Sequence, residues 1–252
     1  MSRCLSRVRL FRIGLCGGFL ALLLSGHAPS LSAEALPAAA TPTPQTADWW
    51  LPRHDSKVRE LAQHPVDLLF IGDSITQGWE DEGRAVWAAF YGKRRAANLG
   101  FNSDRTDHVL WRLTHGELEG ITPQVVVLHI GTNNRGQRRE SPAETAAGID
   151  AIVATLHARL PSATVLVLGI FPRGGDADDP RRQHNDRVNA LLSRTPDNAH
   201  RRFIDLRGRF LEQDGRISTD IMPDLLHLSE KGYRRWAEGL EPILTPLLNA
   251  HR

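Results

Sequence analysis

The 252-residue chain is 41% hydrophobic and 24% charged, with a formal net charge of +2 and two cysteines. This balance fits one folded domain of enzyme size and excludes a disordered chain, a collagen-like repeat and a disulfide scaffold. The near-neutral charge removes the electrostatic case for nucleic acid, because Lys93-Arg94-Arg95, Arg181-Arg182 and Arg201-Arg202 are short, scattered and read as solvated surface.

Residues 1–35 read as a secretory signal peptide. Arg3, Arg7, Arg9 and Arg12 precede an apolar run from Ile13 to Leu24, and Ala33-Glu34-Ala35 supplies the small-residue cleavage pattern. The run is well short of the roughly 20 residues that span a bilayer, so no stable membrane insertion is expected after cleavage. The expected location is the periplasm or the outside of the cell. Cleavage removes both Cys4 and Cys16, so the exported domain meets an oxidising compartment without a thiol. Residues 36–47 (LPAAATPTPQTA) lack apolar periodicity and are expected to form a flexible linker, with the domain itself over 48–252.

From Val66 onward, apolar runs of strand length alternate with amphipathic stretches. Strands are predicted over Val66 to Ile71, Ala96 to Leu99, Val125 to Ile130, Thr164 to Ile170 and Phe203 to Leu206. Continuously apolar runs suit strands buried on both faces. Between them, Ser141, Pro142 and Glu144 form a capping box ahead of an apolar face of Ile149, Ile152, Val153, Leu156 and Leu160. The last helix is predicted to open near Ser229 and to carry Tyr233, Trp236, Leu240, Ile243, Leu244 and Leu247. Five strand-helix alternations imply a doubly wound α/β domain with a five-stranded parallel sheet and helices on both faces.

Ligands in such a sheet bind beyond the carboxyl ends of the strands. Gly72-Asp73-Ser74-Ile75-Thr76 follows the first strand, Asn102-Ser103-Asp104 the second, Gly131-Thr132-Asn133-Asn134 the third, and Asp224-Leu225-Leu226-His227 precedes the last helix. Ser74, His227 and Asp224 are then the parts of an acyl-enzyme hydrolase. A serine hydroxyl attacks only when a neutral imidazole takes its proton, and a carboxylate on the other ring nitrogen fixes the tautomer. The oxyanion needs fixed donors, which the N–H of Ser74, an N–H near Ser103 and the amide of Asn133 supply. No metal or other cofactor is required by this chemistry, and the chain has no P-loop, Gly-x-Gly-x-x-Gly or His-Glu-x-x-His.

These blocks resemble those of the SGNH, or GDSL, hydrolase family. The stretches HVLWRL (108–113), GELE (116–119), FPRG (171–174) and LHLSEKGY (226–233) are similar to the catalytic subunits of platelet-activating factor acetylhydrolase type Ib and their bacterial homologues. The likeness runs from about Trp49 to Leu248. It implies a flavodoxin-like three-layer fold, Ser74 as nucleophile, His227 as base, Asp224 as its partner and Asn133 as an oxyanion donor; relatives of this kind often form dimers. One position departs: Ser103 stands where the family usually has glycine, so its N–H must be held without glycine's freedom of φ.

Ile75, Thr132 and Leu226, each beside one of these residues, are candidates for a shallow acyl pocket suited to acetyl esters. The expected substrate is a small-molecule or glycan acyl ester, with a carbohydrate O-acetyl group or an acetylated lipid as the two classes. The alternative is a non-catalytic cell-envelope protein that binds acetylated glycan or lipid in the same cleft. His54, His64, His108, His115 and His184 lack a zinc-site context, and His129 reads as a packed strand residue. Asp176, Asp178 and Asp179 read as a turn with helix capping rather than a calcium loop. Trp49-Trp50 reads as a packing anchor, with stacking on a sugar as the second reading.

Overall fold

The computed structural model of the protein describes residues 36–249; the signal peptide expected over 1–35 lies outside the described residues. Helix α1 (Trp50–Leu61) leads into β1 (Leu68–Gly72), the one-turn α2 (Ser74–Gln77) and α3 (Arg84–Phe90). Next come β2 (Ala96–Gly100), α4 (Thr106–Thr114), β3 (Val125–His129), α5 (Thr132–Arg138) and α6 (Pro142–Arg159). The chain then forms β4 (Thr164–Leu168), α7 (Pro180–Leu192), β5 (Arg201–Ile204) and α8 (Glu230–Asn249). The five strands pair in parallel in the order β2-β1-β3-β4-β5, the flavodoxin-like doubly wound arrangement.

Strand alternation divides the core into two layers. Leu69, Ile71, Val126, Leu128, Val165 and Val167 face α4, α6 and α7, whereas Leu68, Phe70, Val125, Val127, Leu166 and Leu168 face α3 and α8. All five residues of β1, β3 and β4 are buried, which explains runs without a polar alternate. The edge strand β5 begins two residues before the apolar run and is only partly buried, so its pairing starts on Arg201 and Arg202, which carry no apolar signal.

The capping box that opens α6 is formed as expected: Ser141 Oγ accepts from the Glu144 N–H, and the Glu144 carboxylate accepts from the Ser141 N–H. Ser229 caps α8 in a related way, its Oγ accepting from the Gly232 N–H.

Within 36–47, the segment expected as a flexible linker, part of the chain lies against the domain. A 3-10 turn at Ala38–Ala40 buries Ala39 and Ala40, and the Ala39 carbonyl accepts from Thr106 Oγ1 at 2.7 Å. The approach is possible because α6 carries Gly148 there: a Cβ at that position would lie 2.5 Å from the Ala39 carbonyl. Further along, the Thr43 N–H donates to the Asp107 carbonyl. The prolines restrict the backbone of this strap, of which Ala39 and Ala40 are buried while Thr41 to Pro44 stay exposed.

Candidate active site

The register aligns Gly72, Gly100 and His129 across three neighbouring strands, so the loops after β1, β2 and β3 leave the sheet at one level. Gly72 lets the turn into α2 close tightly, since a Cβ there would fall 2.2 Å from the His129 carbonyl and 2.1 Å from Thr76 Oγ1. Asp73 caps α2, its Oδ1 accepting from the Ile75 N–H at 3.0 Å, and Ser74 stands at the first helical position. Its own N–H, one of the orphan donors of a helix start, has no acceptor among the described residues.

The turn before α8 brings the other two members. His227 Nε2 lies 2.9 Å from Ser74 Oγ, and His227 Nδ1 lies 2.6 Å from Asp224 Oδ2. The second Asp224 oxygen accepts from the N–H groups of Leu226, at 3.0 Å, and His227, at 2.7 Å, so the carboxylate and the imidazole are fixed by one tight turn. Leu225 sits at φ 60° inside it, a strained conformation that no residue type announced. Partial burial disfavours the Asp224 charge, but the hydrogen bonds from His227 and the two backbone N–H groups outweigh it and hold the carboxyl below its usual range.

The other donors expected at the oxyanion position lie on the segments that follow β2 and β3, which leave the sheet at the same level as the loop carrying Ser74. Asn133, in the first turn of α5, spends one amide hydrogen on the Asp104 carbonyl at 3.0 Å, which fixes the side chain and leaves the other hydrogen free. Ser103 has φ 61°, the left-handed conformation that glycine takes without strain, and its N–H has no acceptor among the described residues. Three glutamines hold this loop: Gln77 Oε1 accepts from the Asn102 N–H, Gln45 Nε2 donates to the Asn102 carbonyl and Gln137 Nε2 donates to the Ser103 carbonyl.

Beneath the loop lies a buried network that sequence reasoning missed. The fully buried Arg112 bonds Asp104 through Nε at 2.9 Å and Glu117 through Nη1 at 2.5 Å, and its guanidinium stacks 3.9 Å above the Phe101 ring. Trp50 Nε1 donates to the other Asp104 oxygen at 2.7 Å, so the packing anchor read at Trp49-Trp50 is Trp50. Burial disfavours the Arg112 charge, but Glu117 and Asp104 more than offset this and keep it charged. Arg112 and Glu117 stand within HVLWRL and GELE; the charges in those stretches were the available signal.

The three acyl-pocket candidates have different surroundings. Ile75 and Leu226 belong to the hydrophobic layer on the α8 side. Thr132 is buried and engaged instead, its Oγ1 accepting from Arg173 Nη1 at 3.1 Å and from Asn185 Nδ2 at 3.3 Å. Arg173 was also missed. Burial lowers its pKa, as does Arg181 nearby, while Asp179, Asp73 and Asp224 favour its charge. Among the described residues no group of three or more His, Cys, Asp or Glu side chains is placed to hold a metal ion.

This fold, with its site at the carboxyl ends of the strands, is that of the SGNH hydrolases. The GDSL-like lipase/acylhydrolase family model matches residues 70–235, and the chain belongs to that family. It is 39% identical over 205 residues to the human platelet-activating factor acetylhydrolase IB subunit alpha2, covering 81% of this chain and 87% of the relative. Identity to the human alpha1 subunit is also 39%, over 86% of this chain and 94% of that one. Among solved structures, a GDSL-like lipase from Bacteroides thetaiotaomicron superposes with a TM-score of 0.61 at 18% identity, covering 79% of this chain and 97% of its own. An acetylxylan esterase from Geobacillus stearothermophilus superposes with a TM-score of 0.58, also at 18% identity, over 71% of this chain and 95% of its own. The family makes the protein an acylhydrolase; the two superpositions speak to the fold.

Proposed function

We propose that the protein is an exported serine esterase that hydrolyses short-chain esters, acetyl esters first among them, through an acyl-enzyme on Ser74. The observation that carries this is the continuous chain from Ser74 Oγ to His227 Nε2 and from His227 Nδ1 to Asp224 Oδ2. His227 takes the hydroxyl proton as Ser74 Oγ bonds to the ester carbonyl carbon. The oxyanion then receives the N–H groups of Ser74 and Ser103 and the free amide hydrogen of Asn133. Collapse breaks the bond to the alcohol, which leaves with the proton from His227. Water enters, gives a proton to His227 and attacks the acyl carbon, and Ser74 Oγ takes the proton back as the carboxylic acid departs.

The relatives named acetylhydrolase and the neighbour named acetylxylan esterase support an acetyl donor, and they leave two alcohols in view, a lipid and a glycan. Export rests on the pattern of residues 1–35. The deciding experiment is hydrolysis of p-nitrophenyl acetate, butyrate and octanoate by the protein and by Ser74→Ala. Activity on acetate that declines toward octanoate and vanishes in the variant is the expected result. Equal rates in the two proteins would remove Ser74 from the reaction, and a flat chain-length profile would remove the short acyl pocket.

A further inference from the structure

Trp49 keeps 41% of its surface exposed although Trp50 beside it is fully buried. Tryptophan is seldom left open to water, because its large apolar faces stabilise whatever covers them. The indole borders a surface groove of about 550 Å³, whose walls include Arg53, Lys57 and Glu60 of α1, Gln77 of α2 and Asn102 of the loop after β2. The groove reaches the catalytic rim at two points: Gln77 is three residues beyond Ser74 on the same short helix, and Asn102 directly precedes Ser103. The Asn102 N–H donates to Gln77 Oε1 at 2.8 Å, which joins these two lining residues.

The polar groups in this groove sort into two kinds. Its charges are cancelled: Arg53 Nη2 lies 2.9 and 3.0 Å from the two Glu80 oxygens, and Lys57 Nζ lies 2.8 Å from Glu60 and 3.0 Å from Glu80. Its amides are free, since Asn102 uses only its backbone in hydrogen bonds and Gln77 uses only Oε1, leaving the Asn102 side chain and Gln77 Nε2 without partners among the described residues. A phosphate-bearing headgroup would need an unpaired cation, which Arg53 and Lys57 do not offer. An acyl tail would need an apolar lining, and Trp49 is the one large apolar side chain there. A flat apolar face with uncommitted amides and no net charge suits a pyranose ring, whose C–H face covers an indole while its hydroxyls pair with amides.

We propose that this groove is a subsite for the sugar chain of an O-acetylated glycan and that Trp49 is its stacking platform. The assignment rests on the esterase reading and selects the glycan over the lipid as the alcohol. The test separates the two. Ser74→Ala protein, titrated with xylohexaose, cellohexaose and chitohexaose, is read by tryptophan fluorescence and calorimetry, and no turnover is involved. Saturable binding of at least one hexasaccharide, weakened about tenfold or more in Ser74→Ala/Trp49→Ala and largely restored by Ser74→Ala/Trp49→Phe, is expected. Equal affinity with and without the indole, binding to none of the three, or a Trp49-dependent signal with phosphatidylcholine vesicles instead would overturn the subsite. In the Ser74-containing protein, Trp49→Ala should lower kcat/KM for acetylated xylo-oligosaccharide relative to p-nitrophenyl acetate by a similar factor, chiefly through KM. An esterase active on p-nitrophenyl acetate whose ratio does not move sinks the subsite alone; a protein without esterase activity sinks the reading beneath it.

Discussion

Ser103 occupies a backbone conformation that costs a residue with a Cβ about 1–2 kcal/mol. The role proposed for it belongs to its N–H, which every non-proline residue carries, so the side chain is dispensable if the loop is held from outside. Gln45, Gln77 and Gln137 provide that hold. Ser103→Gly should therefore leave kcat almost unchanged and alter stability by less than about 1 kcal/mol, because relief of strain is offset by the extra freedom of the unfolded chain. Asn133 is the contrast, since there the side chain itself carries the donor. Asn133→Ala should lower kcat on p-nitrophenyl acetate about a hundred- to a thousand-fold. Steady-state kinetics on both variants checks the pair; a large loss in Ser103→Gly would mean that the hydroxyl acts, and an undiminished Asn133→Ala would remove that amide from the oxyanion site.

At the scale of elements, the strap over residues 36–47 is bonded through Gln45 to the loop that carries Ser103. Gln45 Nε2 donates both to the Asn102 carbonyl and, at 3.1 Å, to Asp104 Oδ1, the oxygen that also accepts from Trp50. Asp104 in turn presents the carbonyl that fixes Asn133. Gln45→Ala should then slacken two of the donors proposed for the oxyanion, Ser103 and Asn133, lowering kcat several-fold while KM for a small ester stays put, since a hydrogen bond to a charged group contributes about 1.5–3 kcal/mol. A rise in KM without change in kcat would assign Gln45 to substrate binding instead. This strap marks the limit of what the sequence discloses. The three inner strands and the Ser141 capping box were legible because their signals are local, an apolar run or a four-residue pattern. The Ser74, Asp224 and His227 chain was legible once parallel topology placed the strand ends together. Gln45, Arg112 and Glu117 were not, because the partners of a buried polar network are chosen by tertiary proximity; Gln45 meets a residue 59 positions away. A proline-rich segment looks the same in sequence whether it hangs free or lies against a glycine such as Gly148.

For the whole molecule, parallel winding places two titratable side chains in the fully buried rim of the sheet, at the ends of the adjacent strands β1 and β3. Asp73 has one oxygen without a partner, and burial, reinforced by the nearby Asp104 charge, raises its pKa from 3.8 to about 7 despite the Ile75 N–H and Arg173. His129 accepts from the Phe171 N–H through Nε2, and burial lowers its pKa from 6.5 to about 3. Their linkages to folding have opposite signs. Between about pH 4 and 7 the folded chain keeps the Asp73 proton that the unfolded chain loses, so stability declines as pH rises. Between about pH 6.5 and 3 the unfolded chain binds a proton that folded His129 refuses, so stability declines as pH falls. Where the windows overlap the slopes cancel, each amounting to at most about 1.4 kcal/mol per pH unit. Asp73→Asn retains the Oδ1 acceptor for the Ile75 N–H but removes the buried acid. It should be more stable than the parent at pH 7.5, by up to about 4 kcal/mol, and should lose stability steeply on acidification below pH 6.5, because His129 then acts unopposed. Urea unfolding at intervals from pH 5 to 8 reads both effects. A profile for Asp73→Asn that runs parallel to the parent's across this range would show that Asp73 is already ionised in the folded protein, and that Arg173 rather than a proton balances it.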